Sequence, residues 1–304
     1  MPLSTRRQLL TAALGAPAAL AAAHHEKKPT LCLFSKHLPH LGYAEMAKAL
    51  KGWGFGGVDL TIRPGGHVLP ENAARDLPKA YEALQAEGVA TPMITTGLTS
   101  INDPAARPTL YTAGELGVEY FKLGYYKLRD VSKMLEVMPR VKQQVDGLAG
   151  LAAHAKIQGG YHNHSGAYVG SAIWDSHRIL EDVDPRAIGF YFDPCHATIE
   201  GGSAGWEMAF HLVKDRLNMI ACKDFYWEKT GGKWNRRMCP LGQGMVDYPK
   251  FFSLLAKSGF SGPISLHVEY EIEAPTEAAK HEKTAEAIER DFKYLRTQFH
   301  KAFG

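Results

Sequence analysis

Apolar residues recur along this chain in two alternating rhythms. Short apolar runs bounded by turn residues lie at 30–35, 57–61, 89–95, 120–124, 159–163, 188–193, 217–223 and 263–269. Their length and their β-branched and aromatic content predict strands. Between them, apolar residues fall at helical spacing over 43–53, 71–86, 105–116, 132–155, 171–180, 206–213 and 248–257, and a long polar helix is predicted over 276–299. Alternating strand and helix patterns imply parallel strands joined by crossover helices. Eight such pairs fit a single (β/α)8 TIM barrel. An open doubly wound sheet is the competing arrangement, but the segment from Ser35 to His40 carries no Gly-rich dinucleotide fingerprint. The least regular stretch, 226–246, follows the seventh strand and is expected on the rim at the strands' C-terminal ends, in the position of a lid.

The first 23 residues do not belong to this pattern. Arg6 and Arg7 precede an apolar run from Leu9 to Ala23, and Ala21, Ala22 and Ala23 supply small residues for cleavage. That combination reads as an export signal. Gly15 and Pro17 interrupt the run, which is short for a membrane span. The segment Ser4-Thr5-Arg6-Arg7-Gln8-Leu9-Leu10 resembles a twin-arginine signal, with an ordinary secretory signal as the alternative. The expectation is a periplasmic or otherwise exported protein, with 24–304 forming the barrel domain.

Removal of that segment lowers the formal net charge from +3 to +1. Such a balance gives no electrostatic footing for nucleic acid or an anionic membrane. The hydrophobic fraction of 45% suffices for a large core. Cys32, Cys195, Cys222 and Cys239 follow no metal-ribbon or CxxC spacing, and their apolar neighbours favour buried free thiols over a Cys195–Cys222 disulfide.

The chemistry-bearing residues gather where the apolar strands stop. Tyr161-His162-Asn163-His164, Phe192-Asp193-Pro194-Cys195-His196, Lys223-Asp224 and His267-Val268-Glu269 each terminate a predicted strand. Side chains alternate along a strand, so His162 shares a face with His164, Asp193 with Tyr191, Ala221 with Lys223, and Glu269 with His267. A single histidine at a strand end is ordinarily a hydrogen-bonded core residue. Several polar ends on one barrel instead form an active-site rim suited to a divalent cation. Asp224 fits either a substrate contact or a cap on the following turn. His67, Lys122, Asp59 and Arg63 belong to the same rim, and His67 and Lys122 are candidates for substrate contact.

On these residues the chain resembles the xylose isomerase-like TIM barrels of the sugar phosphate isomerase/epimerase group, which includes D-tagatose 3-epimerase-like enzymes and inosose dehydratases. The segment 240–247 resembles the loop before the family's last helix. The resemblance implies one divalent metal, Mn, Co, Mg or Zn, held by carboxylates and histidine at the ends of strands five to eight. Asp193 and Glu269 match two of those positions, and His196 matches a substrate-contacting histidine. His162 stands where a glutamate is usual, and Ala221 stands where a histidine is usual. Either His162, Asp193 and Glu269 hold the metal with water, or His164 or Asp224 adds a donor, or Lys223 supplies the positive charge itself.

The implied activity is isomerisation, epimerisation or dehydration of a sugar or keto-sugar through an enediolate, with Glu269, His196 and Lys223 catalytic and His67, Lys122, His164 and Asp224 contacting a small carbohydrate. The alternatives are a periplasmic sugar-binding protein that has lost catalysis, for which Ala221 argues, and a metal-dependent hydrolase. The sequence does not choose the sugar or the oligomeric state.

Overall fold

The computed structural model describes residues 28–304, so the predicted export signal lies outside the described residues. Eight parallel strands close into a barrel: β1 (Leu31–Phe34), β2 (Gly57–Ile62), β3 (Ala90–Thr96), β4 (Tyr120–Lys122), β5 (Gln158–His162), β6 (Ile188–Phe192), β7 (Leu217–Cys222) and β10 (Ile264–Leu266). Closure comes from β10, which pairs with β7 on one side and β1 on the other. Helices α1 (Tyr43–Trp53), α2 (Ala73–Ala86), α3 (Ala106–Glu115), α4 (Met134–Ala155), α5 (Trp174–Leu180), α6 (Pro194–Val213), α7 (Tyr248–Lys257) and α8 (Glu277–Phe303) surround it. The predicted TIM barrel is thus the fold.

Local chemistry sets the ends of these elements. Glu45 accepts from the Gly42 amide at 3.0 Å and Gly54 closes α1 at φ 86°, a left-handed cap that a side chain would strain. Asp193, Asp247 and Thr276 cap α6, α7 and α8 by accepting from amides three residues on. Pro194 begins α6, which kinks at Gly202 (φ 64°), so the predicted 206–213 helix is preceded by a further helical stretch that starts at Pro194. In the other direction α5 begins at Trp174, not at residue 171.

Leu33, Val58, Leu60, Ile94, Phe121, Phe190, Phe192 and Ile220 are buried in the main core, together with apolar residues of the surrounding helices. Inside the barrel a smaller cluster of Met93, Tyr191, Met219 and Ala221 fills the centre. Asp59 is fully buried there and accepts from Thr95 Oγ1 at 2.7 Å, Tyr191 OH at 3.1 Å and Ser265 Oγ at 2.9 Å. The barrel therefore has a polar column beneath its rim.

The irregular segment after the seventh strand is in fact an antiparallel hairpin, β8 (Asp224–Thr230) and β9 (Lys233–Cys239). Gly231 and Gly232 turn it at φ 60° and 77°, the paired positive values that a two-residue hairpin loop needs. The four cysteines are buried free thiols, as expected. No described helix is long and apolar enough to cross a membrane.

Helix packing makes one sharp demand. A Cβ added to Gly114 in α3 would lie 1.8 Å from the Ala155 carbonyl oxygen at the end of α4. Gly114→Ala should cost about 1–3 kcal/mol, seen as a lower urea midpoint with an unchanged m value.

Candidate active site

The predicted rim residues emerge from the ends of β5, β6, β7 and β10. Asp193 is the best fastened of them. Its amide donates to Asn163 Oδ1 at 2.8 Å, and its carbonyl accepts from Asn163 Nδ2 at 3.0 Å. Its Oδ1 caps α6 by accepting from the His196 amide at 3.0 Å. This leaves Oδ2 facing His162 Nε2 at 3.3 Å, His196 Nε2 at 3.6 Å and Lys223 Nζ at 3.2 Å. Asp193 is completely buried and His162, His196 and Lys223 are nearly so.

Lys223 also reaches Glu269 Oε2 at 2.9 Å, and Lys36 approaches Glu269 Oε1 at 3.3 Å. Burial works against the Lys223 ammonium, but Asp193 and Glu269 outweigh it and hold its pKa above the ordinary range. Burial likewise disfavours both carboxylates. Lys223 reverses that at both, so both pKa values fall well below the usual range. Burial lowers His162 to about 3, opposed by its bond to Asp193, and lowers His164 to about 4 with Lys223 adding to the effect. At neutral pH His162 and His164 are therefore neutral beside a charged Asp193–Lys223–Glu269 chain.

Ligand atoms of His162, Asp193 and His196 lie within 4.8 Å of one another, a three-residue site capable of coordinating a divalent metal ion. Two imidazoles and a carboxylate are competent donors for such an ion. The buried Nε2 of His196 has no hydrogen-bond partner, an orphaned atom that a cation or a substrate oxygen would satisfy. Glu269 is not among these three residues, and its oxygens face Lys223 and Lys36; His196 completes the group instead. Ala221 lies inside the barrel with Met93, Tyr191 and Met219 and offers no donor.

The remaining predicted contacts separate clearly. His164 stacks obliquely near His196, with ring centroids 4.1 Å apart, and so belongs to the centre. Lys122 is buried at the end of β4, donating to the Leu123 carbonyl at 2.6 Å with its ammonium 3.6 Å from the Tyr125 ring centroid. His67 is half-buried at the β2 loop and held by Leu38 O at 3.0 Å and Thr61 Oγ1 at 3.3 Å, apart from the Asp193 cluster. Asp224 takes the second of its two expected roles, holding the turn after β7 and not a substrate. Its oxygens accept from the amides of Phe225, Gly242, Gly244 and Val246, which leaves it no free face toward a substrate.

Several residues at the site were given no role from the sequence. Tyr125 OH lies 3.0 Å from His162 Nδ1, and Ser165 Oγ lies 2.8 Å from His196 Nδ1. His267 Nε2 lies 3.0 Å from Tyr191 OH, while its Nδ1 is 3.9 Å from Glu269 Oε1. Strand parity places His267 and Tyr191 on the faces of Glu269 and Asp193, a signal available in the sequence. Tyr125 and Ser165 come from loops and gave none.

Comparison with known proteins followed the same lines. Residues 47–298 match the model of the family described as Xylose isomerase-like TIM barrel. Inosose dehydratase of Mesomycoplasma hyopneumoniae is 29% identical over 123 residues, 36% of this chain and 39% of that protein. The chain thus spans about two fifths of that curated relative's length. Among solved structures, 3-keto-D-glucoside 4-epimerase from E. coli superposes with a TM-score of 0.67 at 16% identity, covering 89% of this chain and 100% of the other. D-Psicose 3-epimerase from Clostridium cellulolyticum H10 gives a TM-score of 0.68 at 13% identity, covering 89% and 99%. At these identities the two structures establish the shared fold.

Burial, reinforced by Arg63, lowers the Lys122 pKa to about 7. The unfolded chain then holds a proton that the native state lacks between roughly pH 7 and pH 10, so stability rises with pH across that window. Lys122→Met should remove a slope on the order of 1 kcal/mol per pH unit from urea unfolding measured between pH 7 and pH 10.

Proposed function

This chain belongs to the xylose isomerase-like TIM barrel family, and we propose that it is an isomerase, epimerase or dehydratase-like lyase that takes a proton from the carbon beside a sugar carbonyl. The observation that carries this reading is the Lys223 ammonium, 2.9 Å from Glu269 and 3.2 Å from Asp193 and closely flanked by neutral imidazoles. Proton removal next to a carbonyl needs a base and a positive charge for the developing enediolate oxygen, both fixed before the reaction begins. Glu269 is the base in this reading: it is ionised, and with its side chain 22% exposed it is the carboxylate a substrate meets first. Lys223 stabilises the oxyanion, and His196 contacts a substrate oxygen through its unpartnered Nε2.

His162, Asp193 and His196 are the residues that would hold a divalent cation, with His196 Nε2 then turned to the ion instead of to a substrate oxygen. A bound cation supplies Lewis-acid polarisation of the carbonyl. The names of the similar proteins, an inosose dehydratase and two sugar epimerases, support a small carbohydrate as substrate. Export by the twin-arginine route is part of the proposal and rests on Arg6 and Arg7 ahead of the apolar run. One observation favours a second reading. Ala221 removes a ligand position, as expected of a sugar-binding protein that has lost catalysis.

Solvent-deuterium exchange at the α-carbon of a panel of keto-sugars, followed by NMR with Mn²⁺ or Co²⁺ added, separates the two. The enzyme should exchange at least one keto-sugar, and Glu269→Gln should slow that exchange by about 10²–10⁴-fold. Saturable binding without exchange anywhere in the panel would replace the enzyme with the binding protein.

A further inference from the structure

The hairpin reaches into the site through one side chain. Arg236 in β9 lies opposite Trp227 in β8, and although its residue is exposed its guanidinium donates to Ser165 Oγ. Ser165 is buried in the loop after β5, and its Oγ lies 2.8 Å from Nδ1 of the equally buried His196. At the other end of that ring, Nε2 has no hydrogen-bond partner and stands 3.6 Å from Asp193 Oδ2. Three segments distant in sequence are thus joined in one line: hairpin, β5 loop and helix α6.

The direction of the hydrogen bonds along this line decides what His196 can do. A guanidinium only donates, so Ser165 Oγ is an acceptor toward Arg236. The hydroxyl has one proton of its own. If it donates that proton to Nδ1, the neutral ring carries its proton on Nε2, which then donates but cannot ligate. If Nδ1–H donates to Oγ, the Nε2 lone pair is free for a cation. A charged donor on Oγ polarises the hydroxyl, making it a stronger donor and a poorer second acceptor. An Nε2–H facing the Asp193 carboxylate is also favourable, whereas a bare lone pair there faces another lone pair.

We propose that Arg236 and Ser165 set the tautomer of His196, so that the seated hairpin holds the ring proton on Nε2 and turns His196 from a cation ligand into a hydrogen-bond donor for a substrate oxygen. Arg236 and Ser165 are positioning residues, acting on the reaction only through His196. The donor role deepens the carbohydrate reading and rests on it, whereas the tautomer itself depends on the protein alone.

Two measurements on the full-length protein test this. In metal-free protein labelled with ¹⁵N-histidine, the signal lost in His196→Asn identifies the ring. Wild type should show the Nε2–H tautomer, and Arg236→Ala, a change at an exposed position that leaves the core intact, should shift the ring to Nδ1–H. The same tautomer in both proteins, or Nδ1–H in wild type, would overturn the proposal.

Co²⁺ titration gives the second readout. Arg236→Ala should bind Co²⁺ about tenfold more tightly than wild type, the scale of outer-sphere effects on metal affinity. Weaker or equal binding by the variant would count against the switch. No Co²⁺ binding by either protein would overturn the cation site, while the tautomer shift alone would still support the switch. Ser165→Ala guards against an effect of the hairpin's own fold: in that background the Arg236 substitution should no longer alter the His196 tautomer.

Discussion

A lysine ammonium held between two carboxylates inside a barrel is the constraint on which the rest of this centre depends. Lys223, Asp193 and Glu269 come from the ends of β7, β6 and β10, and they meet only if barrel closure brings those ends together in register. Burying any one of the three charges alone costs several kcal/mol, on the order of the whole stability margin of a domain. Together they make a chain in which each charge offsets the desolvation of its neighbour. Asp193 also caps α6 and is clamped through its backbone by Asn163, so the helix, the β5 loop and the ion chain share one residue. A change at Asp193 therefore reaches the fold and the chemistry at once.

Beneath the ion chain the polar column continues the same logic. Asp59 accepts three hydroxyl donors, and one of them, Tyr191, contacts His267, whose other nitrogen points toward Glu269. Tyr191 also stacks on His162 with ring centroids 4.5 Å apart. The column thus braces both halves of the site from below. A purely apolar barrel centre would pack as densely but would not fix the orientations of these rings, since dispersion contacts carry no direction and hydrogen bonds do.

Much of this was legible in the sequence because the barrel repeats one physical rule. Apolar strands alternating with amphipathic helices specified the fold, and the abrupt change from apolar to ionisable residues marked which strand ends form the rim. His162, Asp193, His196, Lys223 and Glu269 all converge there. What stayed hidden depends on side-chain direction after the strands end, where strict alternation no longer applies. Asp224 follows Lys223 directly yet folds back onto the Phe225 amide and three amides of the 242–246 loop, while Glu269 faces Lys223 and Lys36 and His196 completes the cation group. The hairpin is a different case: Gly231-Gly232 between two strand-like runs is a recognisable turn signal. That Arg236 crosses to Ser165 has no local signal, because it is set by how the hairpin lies over a loop more than sixty residues earlier in the chain.

The balance of charge bears on how such a site would accommodate the anionic intermediate of the proposed reaction. Asp193 and Glu269 carry two negative charges, and Lys223 and Lys36 match them with two positive ones, while the nearby imidazoles of His162 and His164 are held neutral. In the proposed reaction Glu269 would lose its charge on taking up a proton, and the positive charge of Lys223 that it had offset would become available to the oxygen on which negative charge develops. Proton uptake at the carboxylate and charge development on the substrate are then coupled through one ammonium, without any movement of the barrel. This is preorganisation in the sense that lowers a barrier: the stabilising charge is in place beforehand, and only its partner changes.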